Sequence, residues 1–198
     1  MYSDKTTTYM KQGKIIIISA PSGCGKSTII GELMRRGNVQ MQFSVSATNR
    51  PPREGEVNGV NYHFLSDEEF KQAISRDAFV EFEEVYPGRY YGTLKSEVEE
   101  RCAEGINVVL DIDVKGGVRV KEMYGERAKS IFIMPPSVDE LRRRLESRAT
   151  DSQEAIDQRV GKAEFELSFA PQYDEQVIND DLQQAVEDTE RVILNFTE

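Results

Sequence analysis

The chain contains 198 residues, a length that favours a single domain. Its 35 acidic residues exceed its 25 lysines and arginines, and the resulting formal net charge of −10 disfavours general binding to nucleic-acid backbones. The longest aliphatic run, the four isoleucines at 15–18, is far shorter than the roughly 20 residues of a membrane-spanning helix, and the polar N-terminus lacks a signal-peptide core. We therefore expect a soluble, cytoplasmic protein with no membrane partner, in which Cys24 and Cys102 remain thiols and the single histidine excludes a histidine-rich metal site.

Short apolar runs alternate with longer amphipathic segments, which predicts an α/β fold. Continuously apolar runs are typical of strands buried on both faces, and four occur, at residues 14–19, 107–110, 130–134 and 176–178. Since helical patterns separate them, we predict a mostly parallel core sheet with helices on both faces. Residues 43–91 instead carry short β-prone pieces interrupted by proline and glycine, and we interpret them as a mixed α/β insertion beside the core sheet.

Helix starts are indicated where a short polar side chain is followed three residues later by an acid. This signature predicts starts at Ser66 with Glu69, at Ser137 with Glu140 and at Asp151 with Glu154. Residues 142–151 are rich in charge and poor in large apolar side chains, so we predict a mobile flap there. We also expect the first dozen residues to be disordered.

A glycine-rich loop joins the first predicted strand to a helical pattern. Its sequence, APSGCGKST, matches the phosphate loop G-x-x-x-x-G-K-[ST] except that Ala20 stands at the first glycine position. In such loops backbone N–H groups bind a polyphosphate, the lysine reaches the β- and γ-phosphates, and the next hydroxyl ligates Mg²⁺. We predict these roles for Lys26 and Ser27, and an accidental Gly-Lys-Ser turn is the alternative. The predicted nucleotide-binding residues are Ala20, Pro21, Ser22, Gly23, Cys24, Gly25, Lys26, Ser27 and Thr28, with Cys24 as a small filler.

Two acids, Asp111 and Asp113, follow the second core run, where an acid lies in the ligand crevice of a parallel sheet. Both are predicted to face the crevice, and Asp111 to help hold Mg²⁺. The alternative is a carboxylate that only caps the next helix. In the insertion, Arg50 and Arg53 flank a stiff Pro-Pro pair and are predicted to bind phosphate.

The alternative for these two arginines is a solvated loop in which they pair with Glu54 and Glu56.

Together these motifs resemble the guanylate kinase family. The resemblance extends over nearly the whole chain, through SAPSGCGKST, FSVSATNRPPREGEVNGVNYHF, FVEFEE, GRYYGT, VVLDID, PPSVDELRRRLESR and VINDDL. It implies a Mg²⁺-dependent enzyme that phosphorylates GMP, and dGMP, to GDP with ATP by direct in-line transfer, in purine nucleotide metabolism. It also implies a core (12–43, 94–144 and 160–198), a GMP-binding insertion (44–93) and a short helical lid (145–159).

The resemblance assigns site residues as well. Those implied to surround GMP are Ser46, Arg50, Arg53, Glu56, Tyr62, Glu81, Tyr91, Gly92, Thr93, Asp111 and Asp113. Those implied to act on the transferring phosphate are Lys26, Arg144, Arg148 and Arg159, with Asn179 near ATP and with Ser27 and Asp111 at Mg²⁺. The departures from the family pattern are Asn49 for Thr, Ala149 for Gly, and Thr93 for Ser.

The chemistry of guanine agrees with this assignment. Guanine presents N1–H and N2–H₂ donors beside its O6 acceptor, so a carboxylate such as Glu81 favours it over adenine, and the Ser46 hydroxyl can serve O6. The alternative is that Glu81 is an exposed strand residue between inward-facing Val80 and Phe82.

Arg144 and Arg148 lie four residues apart on one helix face, where like charges repel unless an anion lies between them. A salt bridge from Glu140 to Arg144 is the alternative, and we expect Arg142 and Arg143 to be solvated.

Two rival functions differ from nucleotide phosphorylation of this kind. A catalytically silent scaffold of the same fold would lose parts of the phosphate loop, and a sugar-phosphate kinase would lose the base-reading acid and the tyrosines. The chain keeps both sets of residues. The oligomeric state, including a homo-oligomer, stays open.

Overall fold

The computed structural model of the chain describes residues 12–147 and 152–198. The strands are β1 (Ile15–Ser19), β2 (Met41–Phe43), β3 (Ala47–Thr48), β4 (His63–Phe64), β5 (Phe79–Tyr86), β6 (Arg89–Leu94), β7 (Asn107–Asp111), β8 (Ala128–Met134) and β9 (Glu175–Ile178). The helices are α1 (Lys26–Arg36), α2 (Asp67–Ser75), α3 (Lys95–Ala103), α4 (Val114–Tyr124), α5 (Val138–Ser147), α6 (Gln153–Leu167) and α7 (Leu182–Thr197). Short 3-10 helices cover Gly125–Arg127 and Ala170–Gln172.

The core sheet has the strand order β2-β7-β1-β8-β9, and every neighbouring pair is parallel. This confirms the predicted parallel core and the four predicted core strands. Strand β2 was not predicted, because a strand of three residues with one buried side chain is too short to show a period.

The central strand β1 shows why the sheet is covered on both faces. Ile15 and Ile17 pack in one apolar cluster with residues of α3 and α4, whereas Ile16 and Ile18 pack in another with residues of α1 and α7. All four side chains are fully buried, and each contributes about 1.5–3 kcal/mol of transfer free energy. Uninterrupted isoleucines therefore produce a three-layer α/β/α core, as predicted.

A second, smaller sheet has the order β4-β3-β6-β5 and combines parallel and antiparallel pairs. It has a core of its own, in which Phe70 of α2 stacks on Phe79 of β5 with 4.5 Å between ring centroids. This sheet confirms the mixed α/β insertion. The exact limits predicted for core, insertion and lid stay a prediction.

The predicted helix starts agree with the structure to different extents. At Ser66 both capping-box hydrogen bonds with Glu69 are formed, whereas at Ser137 the hydroxyl accepts from the Glu140 N–H at 3.1 Å and the Glu140 carboxylate binds arginines instead. Helix α6 begins one residue later than predicted, after Ser152, whose hydroxyl accepts from the Ala155 N–H. Asp151, which the sequence favoured as this cap, lies outside the described residues.

Other expectations fall partly outside the described residues. Residues 142–147 of the predicted flap continue α5, and residues 148–151 lie outside, as do residues 1–11 of the segment expected to be disordered.

Cys24 and Cys102 are buried free thiols, as predicted. None of the described helices combines the length and the apolar character needed to cross a membrane.

Gly117, on the face of α4 toward the sheet, gives a test of the packing below the site. A Cβ at this position would lie 2.1 Å from the Tyr173 hydroxyl oxygen, which donates a hydrogen bond to the Val114 carbonyl at 3.0 Å. We expect Gly117→Ala to break this contact and lower the free energy of unfolding by about 1–3 kcal/mol, measured by urea denaturation.

Gly161→Ala in α6 is the matched control. A Cβ there meets no atom within 4 Å, so helix propensity should raise stability by up to about 1 kcal/mol. Equal effects of the two substitutions would contradict the packing described for Gly117.

Candidate active site

The phosphate loop and the two acids meet because the core strands are parallel. β1 ends at the loop and β7 ends at Asp111, so both lie at the carboxyl edge of the sheet. One cleft is lined by all nine predicted loop residues, Ala20 to Thr28, together with Asp111, Ile112, Asp113 and Glu166. The structure thus brings Lys26, Ser27 and Asp111 together as predicted, and adds Glu166, which the sequence analysis did not consider.

The loop owes its shape to two glycines with positive φ, Gly23 (93°) and Gly25 (84°). Asn179 braces the loop: its Nδ2 donates to the Cys24 carbonyl at 2.8 Å and would lie only 2.4 Å from a Cβ on Gly25. Any other residue at position 25 would displace this buried brace. Asn179 therefore lies on the donor side, where the resemblance assigned it, and it supports the backbone of the loop.

Lys26 forms an ion pair with Asp111 and lies 3.5 Å from the Ile112 carbonyl oxygen. Asp113 caps α4, because one carboxylate oxygen accepts from the N–H groups of Lys115 (2.8 Å) and Gly116 (3.1 Å). The capping role proposed as an alternative is thus present at Asp113. Both acids nevertheless line the cleft, as predicted.

Cys24 is the small filler that the sequence predicted. Its side chain packs among apolar residues of α5 and α6, including Leu141, Leu145 and Ile156. Burial and, second, the negative charge of Glu166 raise the pKa of the Cys24 thiol to about 12. The thiol therefore stays protonated at neutral pH.

A second cleft adjoins the first and lies between the core and the insertion. Predicted residues that line it are Ser46, Glu81, Tyr91, Gly92, Thr93, Asp111 and Asp113. It is also lined by Phe43, Ser44, Glu83 and Val85, which the sequence analysis missed. Glu83 and Val85 could have been found, since they alternate with Glu81 along one strand face.

Glu81 faces this second cleft, and its Oε1 accepts a hydrogen bond from the Thr93 hydroxyl at 2.8 Å. Burial raises the pKa of its carboxyl above the ordinary value, although the Thr93 hydroxyl opposes the shift. The alternative of inward-facing Val80 and Phe82 is wrong for Phe82, which is 38% exposed. A register shift in the β5–β6 pairing between Phe79 and Glu81 changes the alternation, so that Phe79 and Val80 are both buried.

The insertion arginines are arranged differently from each other. Arg50 forms a bidentate pair with Glu56, with both N···O distances 2.6 Å, and its guanidinium lies 5.0 Å from the Tyr62 ring centroid. The side chain of Arg53 is exposed, and its backbone N–H donates to Glu56 at 2.7 Å. Pairing with Glu56, proposed as an alternative, is thus present at Arg50, and this pair holds the pKa of the Glu56 carboxyl at about 2.

These four residues do not line the second cleft itself. Arg50, Arg53, Glu56 and Tyr62 form an adjoining group, joined to the cleft by the edge-to-face contact between Tyr62 and Tyr91 at 5.8 Å. Their predicted role in binding the GMP phosphate stays a prediction.

Two of the three lid-type arginines, Arg144 and Arg159, lie within the described residues. Arg144 binds Glu140 at 2.8 Å and donates to the Asn179 carbonyl at 2.7 Å, so the salt bridge given as an alternative is present. Arg159 lies on α6 and is half-buried, and Arg148 lies outside the described residues. Arg143 is solvated as expected, with 78% of its side chain exposed, and Arg142 is 37% exposed; both form surface ion pairs, with Glu140 and Asp157 respectively.

Asn49, the residue that replaces the family's threonine, is a structural residue that the sequence analysis missed. Its side chain donates to the Asp67 carboxylate at 2.6 Å and to the Gly88 carbonyl at 2.7 Å, and accepts from the Tyr90 N–H at 2.7 Å. A hydroxyl has one donor and cannot make both donated bonds. Asn49 thus ties the β5–β6 hairpin to α2 beside the second cleft.

Known proteins share this sequence and architecture. A family model described as guanylate kinase matches residues 12–195. The chain is 54% identical to the guanylate kinase of Bacteroides fragilis over 196 residues, which cover 98% of this chain and 96% of that protein. The chain belongs to the guanylate kinase family.

Other relatives agree. The guanylate kinase of Porphyromonas gingivalis is 53% identical over 92% of this chain and 97% of its own length. The crystal structure of the guanylate kinase from Anaplasma phagocytophilum superposes with a TM-score of 0.67 at 32% identity, covering 93% of this chain and 86% of that one. The guanylate kinase resemblance and the expected enzyme class are thereby confirmed.

The raised pKa of Glu81 generates a prediction about stability. Because folding raises this pKa, the ionised carboxylate opposes folding at neutral pH, and the penalty disappears below the ordinary carboxyl pKa, where both states are protonated. We expect Glu81→Gln to melt at a higher temperature than the parent at pH 7.5, with a smaller difference at pH 4.5.

Glu83→Gln, at an exposed position two residues further along β5, is the matched control. It should change the melting temperature much less than Glu81→Gln does, because the charge of Glu83 is only a minor cause of the raised pKa of Glu81. A pH-independent effect of Glu81→Gln would contradict the burial cost assigned to this carboxylate.

Proposed function

We propose that the chain transfers the γ-phosphoryl group of ATP to GMP, and to dGMP, giving ADP and GDP or dGDP. The observation that carries this proposal is that the two clefts share one wall, formed by Asp111, Ile112 and Asp113. A donor held by the phosphate loop and an acceptor held by the insertion then meet at that wall. Such proximity is what direct in-line phosphoryl transfer requires.

The donor side binds the polyphosphate through the loop and Lys26. When ATP enters, Lys26 exchanges Asp111 for oxygens of the β- and γ-phosphates. Mg²⁺ is the expected cofactor, and Ser27 and Asp111 would hold it. The donor set fits this ion, since Mg²⁺ takes one or two protein oxygens, the phosphate oxygens and water. Within the described residues there is no group of three or more metal-ligating side chains, and this mode of binding needs none.

Mg²⁺, when bound, neutralises charge that develops on the phosphate oxygens.

The acceptor side selects guanine. Glu81 accepts from N1–H and N2–H₂, the Ser46 hydroxyl serves O6, and Thr93 keeps the Glu81 carboxylate oriented through its hydrogen bond. Tyr91 and Gly92 line the same cleft. Arg50, already oriented by Glu56 and Tyr62, binds the acceptor phosphate with Arg53 when the insertion closes on the core.

The same closure involves the lid. Arg144, Arg148 and Arg159 then neutralise the transferring phosphoryl group, and exclusion of water suppresses ATP hydrolysis. No covalent enzyme intermediate is needed, because phosphoryl transfer depends on positioning and charge neutralisation. A cytoplasmic location, a role in purine nucleotide metabolism and the oligomeric state stay predictions.

Product formation with one acceptor at a time tests the proposal. With MgATP, we expect GMP and dGMP to yield diphosphates, whereas AMP and a sugar phosphate should yield none above the ATP hydrolysis background. Chromatographic separation of nucleotides measures this. Absence of product with every acceptor would support the silent scaffold, and product from the sugar phosphate alone would support the other rival.

Base choice gives a sharper prediction. In Glu81→Gln, an NH₂ group faces the donors of guanine, and a charged hydrogen bond is lost. The transition state for GMP should lose about 2–4 kcal/mol of stabilisation, which lowers kcat/KM roughly 30- to 800-fold. Steady-state kinetics with GMP and inosine monophosphate should show a smaller loss for the latter, which lacks the 2-amino group. Equal losses for both acceptors, or an unchanged GMP rate, would sink the assignment of Glu81.

A further inference from the structure

Glu166, near the end of α6, is a buried carboxylate without an adequate partner. The residue is 8% exposed, and its Oε2 has no hydrogen-bond donor among residues 12–147 and 152–198. Its Oε1 lies 3.7 Å from Nζ of Lys162, whose side chain is 68% exposed. A contact this long to a solvated cation does not compensate for burial of the carboxylate.

Glu166 lines the donor cleft with Lys26, Asp111 and Asp113, and it also lines a neighbouring cleft with Lys115 and Lys162. Its charge also acts on the thiol of Cys24 in the phosphate loop. Of the three acids in the donor cleft, Asp111 is paired with Lys26 and Asp113 caps α4. Glu166 is the acid with a buried oxygen that has no donor among the described residues.

The charge in this cleft restricts what that ligand can be. Three carboxylates face one lysine, and a further anion beside Glu166 would be repelled. Phosphate oxygens of ATP carry no donors, so they cannot satisfy Oε2 directly. The partner has to be a hydrogen-bond donor, and in a cleft with excess negative charge a water molecule polarised by a cation is a particularly strong one.

We infer that Glu166 is a positioning residue for the metal-bound donor nucleotide, and that its carboxylate accepts a hydrogen bond from a water ligand of Mg²⁺. This inference rests on the proposed function. Mg²⁺ loses its water reluctantly and keeps several water ligands, which are strong hydrogen-bond donors. Carboxylates outside the inner coordination shell orient such ligands and strengthen metal binding.

The test is calorimetric titration of the full chain with ADP, in Mg²⁺ and in EDTA, for the parent, Glu166→Gln and Glu164→Gln. In Glu166→Gln we expect the gain in ADP affinity that Mg²⁺ gives to fall by about tenfold. ADP affinity in EDTA should be unchanged or higher, because a negative charge near the phosphates is gone. Glu164 is exposed on the same helix, so Glu164→Gln should match the parent under both conditions.

The melting temperature of the free variant is a separate readout. Glu166→Gln should be at least as stable as the parent, since it removes a buried charge whose contact with Lys162 is 3.7 Å long. A second variant, Glu166→Asp, keeps the charge and should retain more of the Mg²⁺-dependent gain than Glu166→Gln does.

The outcomes separate the two proposals. Equal loss of ADP affinity in Mg²⁺ and in EDTA would indicate a purely structural role, and an undiminished Mg²⁺-dependent gain would indicate no role; either result overturns the inference and leaves the proposed function intact. A parent that binds ADP equally well in Mg²⁺ and in EDTA would overturn the donor side of the proposed function together with the inference.

Discussion

The parallel pairing of β1 with β7 places two otherwise distant chain segments side by side. Ile18 pairs with Asp111, and Ala20, two positions after Ile18, already belongs to the phosphate loop. A hydroxyl from β1, that of Ser19, fastens the connection by donating to the Ile112 carbonyl at 2.9 Å. A shift of this register would separate Lys26 from Asp111, and the wall shared by both clefts would be lost.

Stability and site chemistry are in conflict at several places. Burial of the Glu81 carboxylate opposes folding, and Glu166 keeps a buried oxygen without a donor among the described residues; both residues line clefts. Apolar side chains that do not line either cleft offset this cost by packing together. The stacked rings of Phe70 and Phe79 in the insertion are an example. Arg50 and Glu56 show a different solution, in which opposite charges pair with each other before the acceptor binds.

The sequence allowed prediction of those features that depend on short-range patterns. The isoleucines of β1 and the glycine spacing of the loop each carry a local physical requirement, so the parallel core and the donor cleft could be predicted. The direction of Phe82 could not, because it depends on a register shift that appears only when β5 pairs with β6. The three hydrogen bonds of Asn49 likewise join it to residues about 18 and 40 positions further along the chain, and no local sequence pattern predicts them.

The packing of Cys24 has a chemical consequence. A sulfhydryl in the middle of a phosphate loop would, as a thiolate, react with electrophiles and oxidants, and any adduct would fill the space that a polyphosphate needs. Here the side chain is buried in the apolar contact with α5 and α6, and its high pKa leaves almost no thiolate. The loop is thereby shielded from covalent inactivation for as long as those two helices stay packed against it.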